Sequence, residues 1–330
     1  MKQIALAVVL FLATLGGALW MLGVFHGPEP STTPEREPQA PDPAVPTTPE
    51  LSTAEPREQP RPEVPEVSVP IRVLMLGETS RSFPEWLIQT WDHAPKVSWQ
   101  AWYGAPASQG THTHSETLPA LDKVPLGPDL ESVQVLVLAG VDPARLGAEF
   151  WARVAERVKA GSLGLLVLPE FAFLKAIATE PSLASILPVT GVRPVAPSTS
   201  GGRDLAGVFP VARSFAVTEA GTHHPVSRLV PYPGWSAKLW AATVRDAGAW
   251  STKFCPVVGA PAAGAEVLVQ LDTGETKIPA VVASGPTVGR VLWVGGFFDL
   301  MLPAYTDPLS VERFTALSLS WLLWLASARS

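Results

Sequence analysis

Three continuous apolar runs, each ending close to an acidic residue, constrain the fold of this chain of 330 residues. They are IRVLMLGE at 71–78, SVQVLVLAGVDP at 132–143 and LGLLVLPE at 163–170. An apolar run without polar alternation is typical of a strand buried on both faces, as in a parallel sheet covered by helices. Helix-forming sequence follows the first two runs. The pattern therefore predicts an α/β fold with a doubly wound, mostly parallel sheet.

The C-terminal part predicts a change of strand direction. AEVLVQL, KIPAVVAS and GRVLWVGGF are three further strands, and the short turns DTGET and SGPTV between them suggest two hairpins, hence antiparallel C-terminal strands. A last helix is predicted from Thr306-Asp307-Pro308, with an apolar face that packs on the sheet. Residues 188–265 are rich in proline and glycine, and we predict loops with some edge strands there.

The N-terminal residues 1–26 are predicted to form a transmembrane signal anchor. Residues 4–25 carry no charge, and as a helix they would span roughly 33 Å, enough for the core of a bilayer. The alternative is a cleaved signal peptide, but apolar residues continue beyond the small residues Gly16 and Ala18. With Lys2 before the run and no Lys or Arg after it until Arg36, the positive-inside rule predicts a single-pass protein of the cytoplasmic membrane. The N-terminus would lie inside and the C-terminal domain would be extracytoplasmic.

Residues 27–70 are predicted to form a disordered linker. The α/β domain is therefore predicted to comprise residues 71–330. Proline and acidic residues recur through the segment and large apolar residues are nearly absent, so it buries too little surface to fold and serves as a spacer. Its nine acidic residues and three arginines account for −6, the formal net charge of the whole chain. The domain itself is close to neutral, and nothing in its charge predicts a nucleic-acid partner.

Five short motifs, in this order along the chain, resemble the class I glutamine amidotransferase-like domains of bacterial membrane-anchored proteins. They are VLMLGETSRSFPEWLIQTW, VQVLVLAGVDPARL, VKAGSLGLLVLPE, HPVSRL at 224–229, and GRVLWVGGFFDL with the helix that follows it. The resemblance implies a flavodoxin-like fold. It also implies that an active member would carry a nucleophilic Cys at the turn after the elbow strand. This chain has LPEFAF there instead, so the resemblance implies a domain without amidotransferase chemistry, a pseudoenzyme with no catalytic residues.

The only cysteine, Cys255, lies between Phe and Pro, where a packed small hydrophobe is the simpler interpretation than a displaced nucleophile. His112 and His114 are two residues apart, and in a strand they would point the same way, with Glu116 continuing that face. A metal-dependent enzyme could use such a pair, but a zinc site needs further ligands. We therefore interpret these histidines as solvated loop residues and predict neither a metal nor another cofactor.

Candidate ligand-binding residues follow the three apolar strands. Glu78, Asp142 and Glu170 come just after strand ends, and in open α/β sheets ligands bind beyond the carboxyl ends of neighbouring strands. Asp142 also has the position of a helix cap before Pro143. His224, in HHPVSRL, is a fourth candidate, either a general base or the corner of a His-Pro turn.

The leading functional hypothesis is a membrane-tethered, non-catalytic binding or scaffold domain, whose partner is another membrane or envelope protein. The alternative is a hydrolase acting on a cell-envelope or sugar-like substrate, with Glu170, Glu78 and His224 as acid–base groups. The enzyme needs polar groups that converge in one pocket, whereas the scaffold needs an uncovered apolar surface.

Overall fold

The structure is a computed structural model that describes residues 60–77, 87, 90–103, 111–113, 128–139, 143–169, 180–194, 214–246, 257–272, 276–295 and 308–327. The predicted anchor at 4–25 lies outside these ranges, as does the predicted linker up to residue 59. Among the described residues no helix has both the length and the apolar character needed to cross a membrane.

The strands among the described residues are β1 (Ile71–Gly77), β2 (Val97–Tyr103), β3 (Thr111–Thr113), β4 (Val135–Ala139), β5 (Gly164–Leu168), β6 (Val189–Pro194), β7 (Ser214–Val217), β8 (Val257–Pro261), β9 (Glu266–Asp272), β10 (Lys277–Ala283) and β11 (Val291–Val294). Nine of these strands form one mixed sheet in the order β3-β2-β1-β4-β5-β11-β10-β9-β7, and β6 and β8 form a separate antiparallel pair. The prediction of an α/β fold is confirmed, and the three apolar runs become β1, β4 and β5.

The sheet is less parallel than predicted. Among the described residues, β2, β1, β4, β5 and β11 make four parallel pairings, while β3, β10, β9 and β7 add four antiparallel ones. The predicted hairpin joins are confirmed, because β10 pairs antiparallel with both β9 and β11. The excess of antiparallel pairing comes from β3 and β7, two short edge strands whose sequences carry no long apolar run.

The helices are α1 (Pro128–Glu131), α2 (Gly147–Lys159), α3 (Pro181–Ala184), α4 (Glu219–His223), α5 (Pro233–Asp246) and α6 (Pro308–Ala326). The helix predicted after Asp142 starts with a 3-10 turn at Pro143–Arg145, and the α-helix begins only at Gly147. Gly161 follows the end of α2 with a positive φ of 76°, which favours glycine. Helix α6 starts at Pro308, as the sequence predicts.

Residues 188–265 contain more regular structure than predicted. Besides edge strand β7 and the pair β6–β8, they form α5, a helix of 14 residues that the sequence analysis missed. Leu239 and Trp240 of this helix are buried, and the Trp240 ring meets Phe215 of β7 edge-on with 5.8 Å between ring centroids. Contact with β7, rather than a long apolar stripe, positions α5.

Helices cover both faces of the central strands. Along β1, Val73 and Met75 belong to the core on one face, while Leu74 and Leu76 belong to the core on the other. The first core also includes residues of α6 and α5, and the second includes residues of α2. The prediction that the last helix packs on the sheet is confirmed, because Phe314, Leu317 and Trp321 are buried in the first core. Two-sided burial explains why the central strands read as unbroken apolar runs.

Candidate functional site

The three strands that lead to the predicted acidic site are direct neighbours. Strand β4 lies between β1 and β5, and Leu138 is level with Leu76 on one side and with Val167 on the other. Their carboxyl ends therefore reach the same edge of the sheet, where ligands of open α/β sheets bind. Glu78, Asp142 and Glu170 lie outside the described residues, so the convergence of their side chains stays a prediction.

His224 caps a short turn. It follows α4, and its side chain accepts a hydrogen bond from the backbone N–H of Val226, with 3.3 Å between Val226 N and His224 Nδ1. Pro225 occupies the first position of the 3-10 turn that follows, a place that suits proline. The His224 ring packs edge-on against Trp324 of α6, with 5.2 Å between ring centroids. This is the structural corner that the sequence analysis considered for the His-Pro pair.

The surroundings of His224 favour its neutral form. Burial lowers the pKa of His224 to about 4, and the positive charge of Arg290 contributes in the same direction. Arg290 is held nearby because it donates a hydrogen bond to the carbonyl oxygen of Trp324, and its guanidinium lies 5.8 Å from the centre of the Trp324 ring. At neutral pH the imidazole is therefore uncharged.

The hydrogen bond from Val226 also determines which nitrogen of His224 carries the proton. A neutral imidazole has one donor and one acceptor nitrogen, and Nδ1 is used here as the acceptor. The proton then sits on Nε2. Such a ring has no free lone pair to remove a proton from a substrate, so in this arrangement His224 does not have the state that a general base requires.

His224 lies at the edge of the sheet opposite to the ends of β1, β4 and β5. Its neighbour Arg290 directly precedes β11, and the Arg290 carbonyl accepts a hydrogen bond from Leu165 near the start of the parallel strand β5. The Arg290 and Trp324 group thus marks the amino-terminal edge. A strand of five residues separates the two edges by about 15 Å. His224 therefore lies at the edge of the sheet opposite to the one at which β1, β4 and β5 end and from which the chain continues to the three acids.

The histidines considered for a metal site are partly outside the described residues. His112 belongs to edge strand β3 and is level with Ala101 of β2, whereas His114 and Glu116 are not described. Within the described ranges, no three His, Cys, Asp or Glu residues group closely enough to hold a metal ion. Cys255 also lies outside these ranges, so its role as a packed hydrophobe stays a prediction.

A groove of about 430 Å³, which the sequence does not predict, lies on the α6 side of the sheet. Residues 64–67, the loop 93–96, and Thr315 with Leu319 of α6 line it. The groove was missed because residues up to 70 were assigned to the disordered linker. A signal was present, since Val64, Val67 and Val69 bring three apolar residues into the last part of a segment that otherwise has few.

The sequence matches no known protein family and no curated protein. Several solved structures show a distant likeness to this chain, and two of them are the following. One is a putative ThuA-like protein from Parabacteroides merdae, at 14% identity and a TM-score of 0.43, with 78% of this chain and 90% of that chain covered. The other is Agd3, described as a novel carbohydrate deacetylase, at 12% identity and a TM-score of 0.38, with 78% and 32% covered. Neither similarity is close enough to carry an argument about function.

Proposed function

We propose that this chain is a membrane-tethered, non-catalytic domain of the class I glutamine amidotransferase-like type that binds or organises a partner on the extracytoplasmic side. One observation carries the proposal: His224, the candidate proton-transfer group within the described residues, is occupied as the cap of a turn. It is also about 15 Å from the edge that leads to the acids.

The end of β5 supports the same proposal. The strand ends at Leu168 and the chain continues through the buried Pro169 to Glu170. In active members of the amidotransferase family that this chain resembles, the nucleophile lies at this turn. Here the turn contains Pro, Glu and Phe instead. A domain without a nucleophile at this turn can still bind a partner, because function depends on the site and not on the fold.

Tethering and location belong to the same proposal. Residues 4–25 would anchor the chain, and the proline-rich segment after them would hold the domain away from the bilayer. A partner in the same membrane or envelope would then meet the domain at a raised local concentration. The net charge of −6 gives no electrostatic reason to expect a nucleic-acid partner.

The test is complementation of a deletion strain by two variants. We expect Glu170→Gln to complement like the wild type, because a binding domain loses little when a carboxylate becomes an amide of the same shape. In an acid–base enzyme the same change would remove a group worth about 10²–10⁴-fold in rate. Glu149→Gln, at an exposed position of α2, is the matched control for the loss of one negative charge.

The second variant replaces residues 1–26 with a cleavable signal peptide, so that the domain is exported but not anchored. We expect this variant to lose function while its folded domain accumulates outside the cytoplasm. An inactive Glu170→Gln protein together with an active released domain would instead indicate the hydrolase and contradict the proposal.

A further inference from the structure

Residues 64–69, here called the strap, lie against the domain before β1 begins. Val67 is only 7% exposed and belongs to the same core cluster as Ala94 and Leu319. Its neighbours differ, because Val64 is 47% and Val69 is 63% exposed. One side chain therefore anchors the strap, while the residues on either side remain accessible.

The polar attachment of the strap is equally slight. Lys96 donates a hydrogen bond from Nζ to the carbonyl oxygen of Ser68 at 3.0 Å, on the surface. Among the described residues, no backbone-to-backbone hydrogen bond joins residues 64–69 to the domain. The regular pairing begins only with Ile71, whose N–H donates to the carbonyl of Lys96. The strap is thus held by one buried valine and one exposed hydrogen bond.

The strap also forms one wall of the groove of about 430 Å³. The loop 93–96, together with Thr315 and Leu319 of α6, forms the rest of the lining. The loop and α6 belong to the folded domain, whereas the strap is the last part of the segment that leads in from the N-terminus. The groove therefore exists only while the strap is in place.

We propose that the strap is a detachable wall, which docks and releases as one unit around Val67 and so opens and closes the groove. Burying one valine shifts the equilibrium between the released and the docked strap towards the docked state by roughly 10- to 100-fold. The loss of conformational entropy when the strap residues become ordered opposes this shift. The docked state is therefore favoured without being fixed. Any molecule that binds the groove also holds the strap down, because the two equilibria are linked. This inference does not depend on the proposed function.

Protease Glu-C cleavage of the full-length chain in detergent tests the inference, because docking buries Val67 on one side of the Glu66–Val67 bond. Each rate is divided by the rate for a synthetic peptide of residues 60–70 with the same sequence. We expect Val67→Ser to speed cleavage after Glu66 about tenfold. The matched control Val69→Ser, at an exposed position of the same segment, should stay within about twofold of the wild type.

Cleavage after Glu156, inside α2, reports global unfolding in the same samples. The detachable wall predicts that this cleavage stays slow in Val67→Ser. Equal acceleration after Glu66 and Glu156 would mean that Val67 is an inseparable part of the core, and equal rates for Val67→Ser and Val69→Ser would mean that the strap is not anchored by Val67. Either result overturns the inference. If Val67→Ser does not fold, Val67→Ala serves with the same two readouts.

Discussion

In the parallel half of the sheet β4 and β5 are buried at every position, whereas β7 and β9 in the antiparallel half contain both buried and partly or fully exposed residues. The parallel strands are held by apolar packing on both faces. The region beside the antiparallel strands, residues 218–240, relies instead on side chains that bond to the backbone. Ser227 donates to the carbonyl of Gly221, and the buried Trp240 donates to the carbonyl of Ser227 at 2.7 Å.

The difference shows where stability is sensitive to volume and where it is sensitive to single polar atoms. A fully packed strand loses stability when atoms are removed or added, because the interior cannot close around the change. A region that is held by buried hydrogen bonds loses stability when one acceptor is removed, because the donors it served remain buried. Three predictions test whether stability depends on packed volume or on single buried hydrogen bonds, and a fourth concerns pH.

The largest effect is expected at the start of β5, in the parallel half. A Cβ on Gly164 would overlap the backbone carbonyl of Leu325 in α6, so Gly164→Val forces α6 away from the sheet. We expect a loss of more than about 4 kcal/mol in the free energy of unfolding, seen as little folded protein. Gly147→Ala is the control: its Cβ meets no atom within 4 Å, and only its φ of 80° opposes the change. Normal folding of Gly164→Val would show that α6 is not seated tightly on β5.

The next largest effect is expected in the region of buried hydrogen bonds. Ser236 Oγ accepts from the backbone N–H groups of Leu229 and Val230, each at 3.1 Å, and all three residues are buried. Ser236→Ala leaves two buried donors without this acceptor, so we expect a loss of about 2–4 kcal/mol in urea unfolding. Ser320→Ala is the control, because its hydroxyl only donates to a carbonyl within α6 and should cost about 0.5 kcal/mol or less. Similar losses for both variants would remove the distinction between the halves.

A matched pair of valines tests the contribution of volume directly. Val167 of β5 is fully buried, whereas Val267 of β9 is partly exposed. We expect Val167→Ala to cost about 2 kcal/mol and Val267→Ala less than about 1 kcal/mol, because a cavity forms only at the enclosed position. Chemical denaturation of both variants under one condition measures the difference. Equal costs would mean that the antiparallel half is as tightly packed as the parallel half.

The most gradual effect concerns His224 and pH. Its pKa is lowered to about 4 in the folded chain, while in the unfolded chain it returns to about 6.5. Between these values the unfolded chain binds a proton that the folded chain does not, so stability falls as the pH decreases from about 6.5 towards 4. The slope from one group stays below about 1.4 kcal/mol per pH unit. We expect His224→Asn, which retains an acceptor for the N–H of Val226, to show a shallower slope over this range.

Urea unfolding at several pH values between 4 and 7 measures that slope for both proteins. His223→Asn changes an exposed neighbour in the same way and is measured beside it as the control substitution. An unchanged slope in His224→Asn would indicate that His224 titrates alike in the folded and unfolded chains.

The same comparison explains what the sequence could predict. Strands β1, β4 and β5 are recognisable because burial on both faces makes nearly every residue apolar, and the exposed Arg72 near the start of β1 is the exception. Helix α5 is not, because its packing depends on Trp240 meeting Phe215 of a short strand, a contact between residues 25 positions apart. Its proline-rich surroundings also resemble a loop. The local sequence pattern is sufficient to predict an element that is buried almost completely. It is insufficient for an element whose position depends on a few tertiary contacts.

The candidate site divides in the same way. The sequence places Glu78, Asp142 and Glu170 after strands, and neighbouring parallel strands bring such positions to one edge. For His224 the sequence HHPVS shows a residue before proline that can cap a turn, but the edge on which that turn lies depends on α6 and on Arg290. The strap was missed for a related reason, since the burial of Val67 requires Ala94 and Leu319, which lie far away in the sequence.

The contact between Gly164 and Leu325 has a consequence for how the polypeptide can be rearranged. Strand β1 begins at Ile71, and Leu325, near the end of α6, lies beside the start of β5. The first and last parts of the domain therefore meet the sheet at its amino-terminal edge. Only two strand spacings, about 10 Å, separate β1 from β5. A short peptide could join these ends, and the backbone could be opened in a surface loop elsewhere. A circular permutant of this kind would keep the opposite edge intact while moving the point from which the chain leaves the domain.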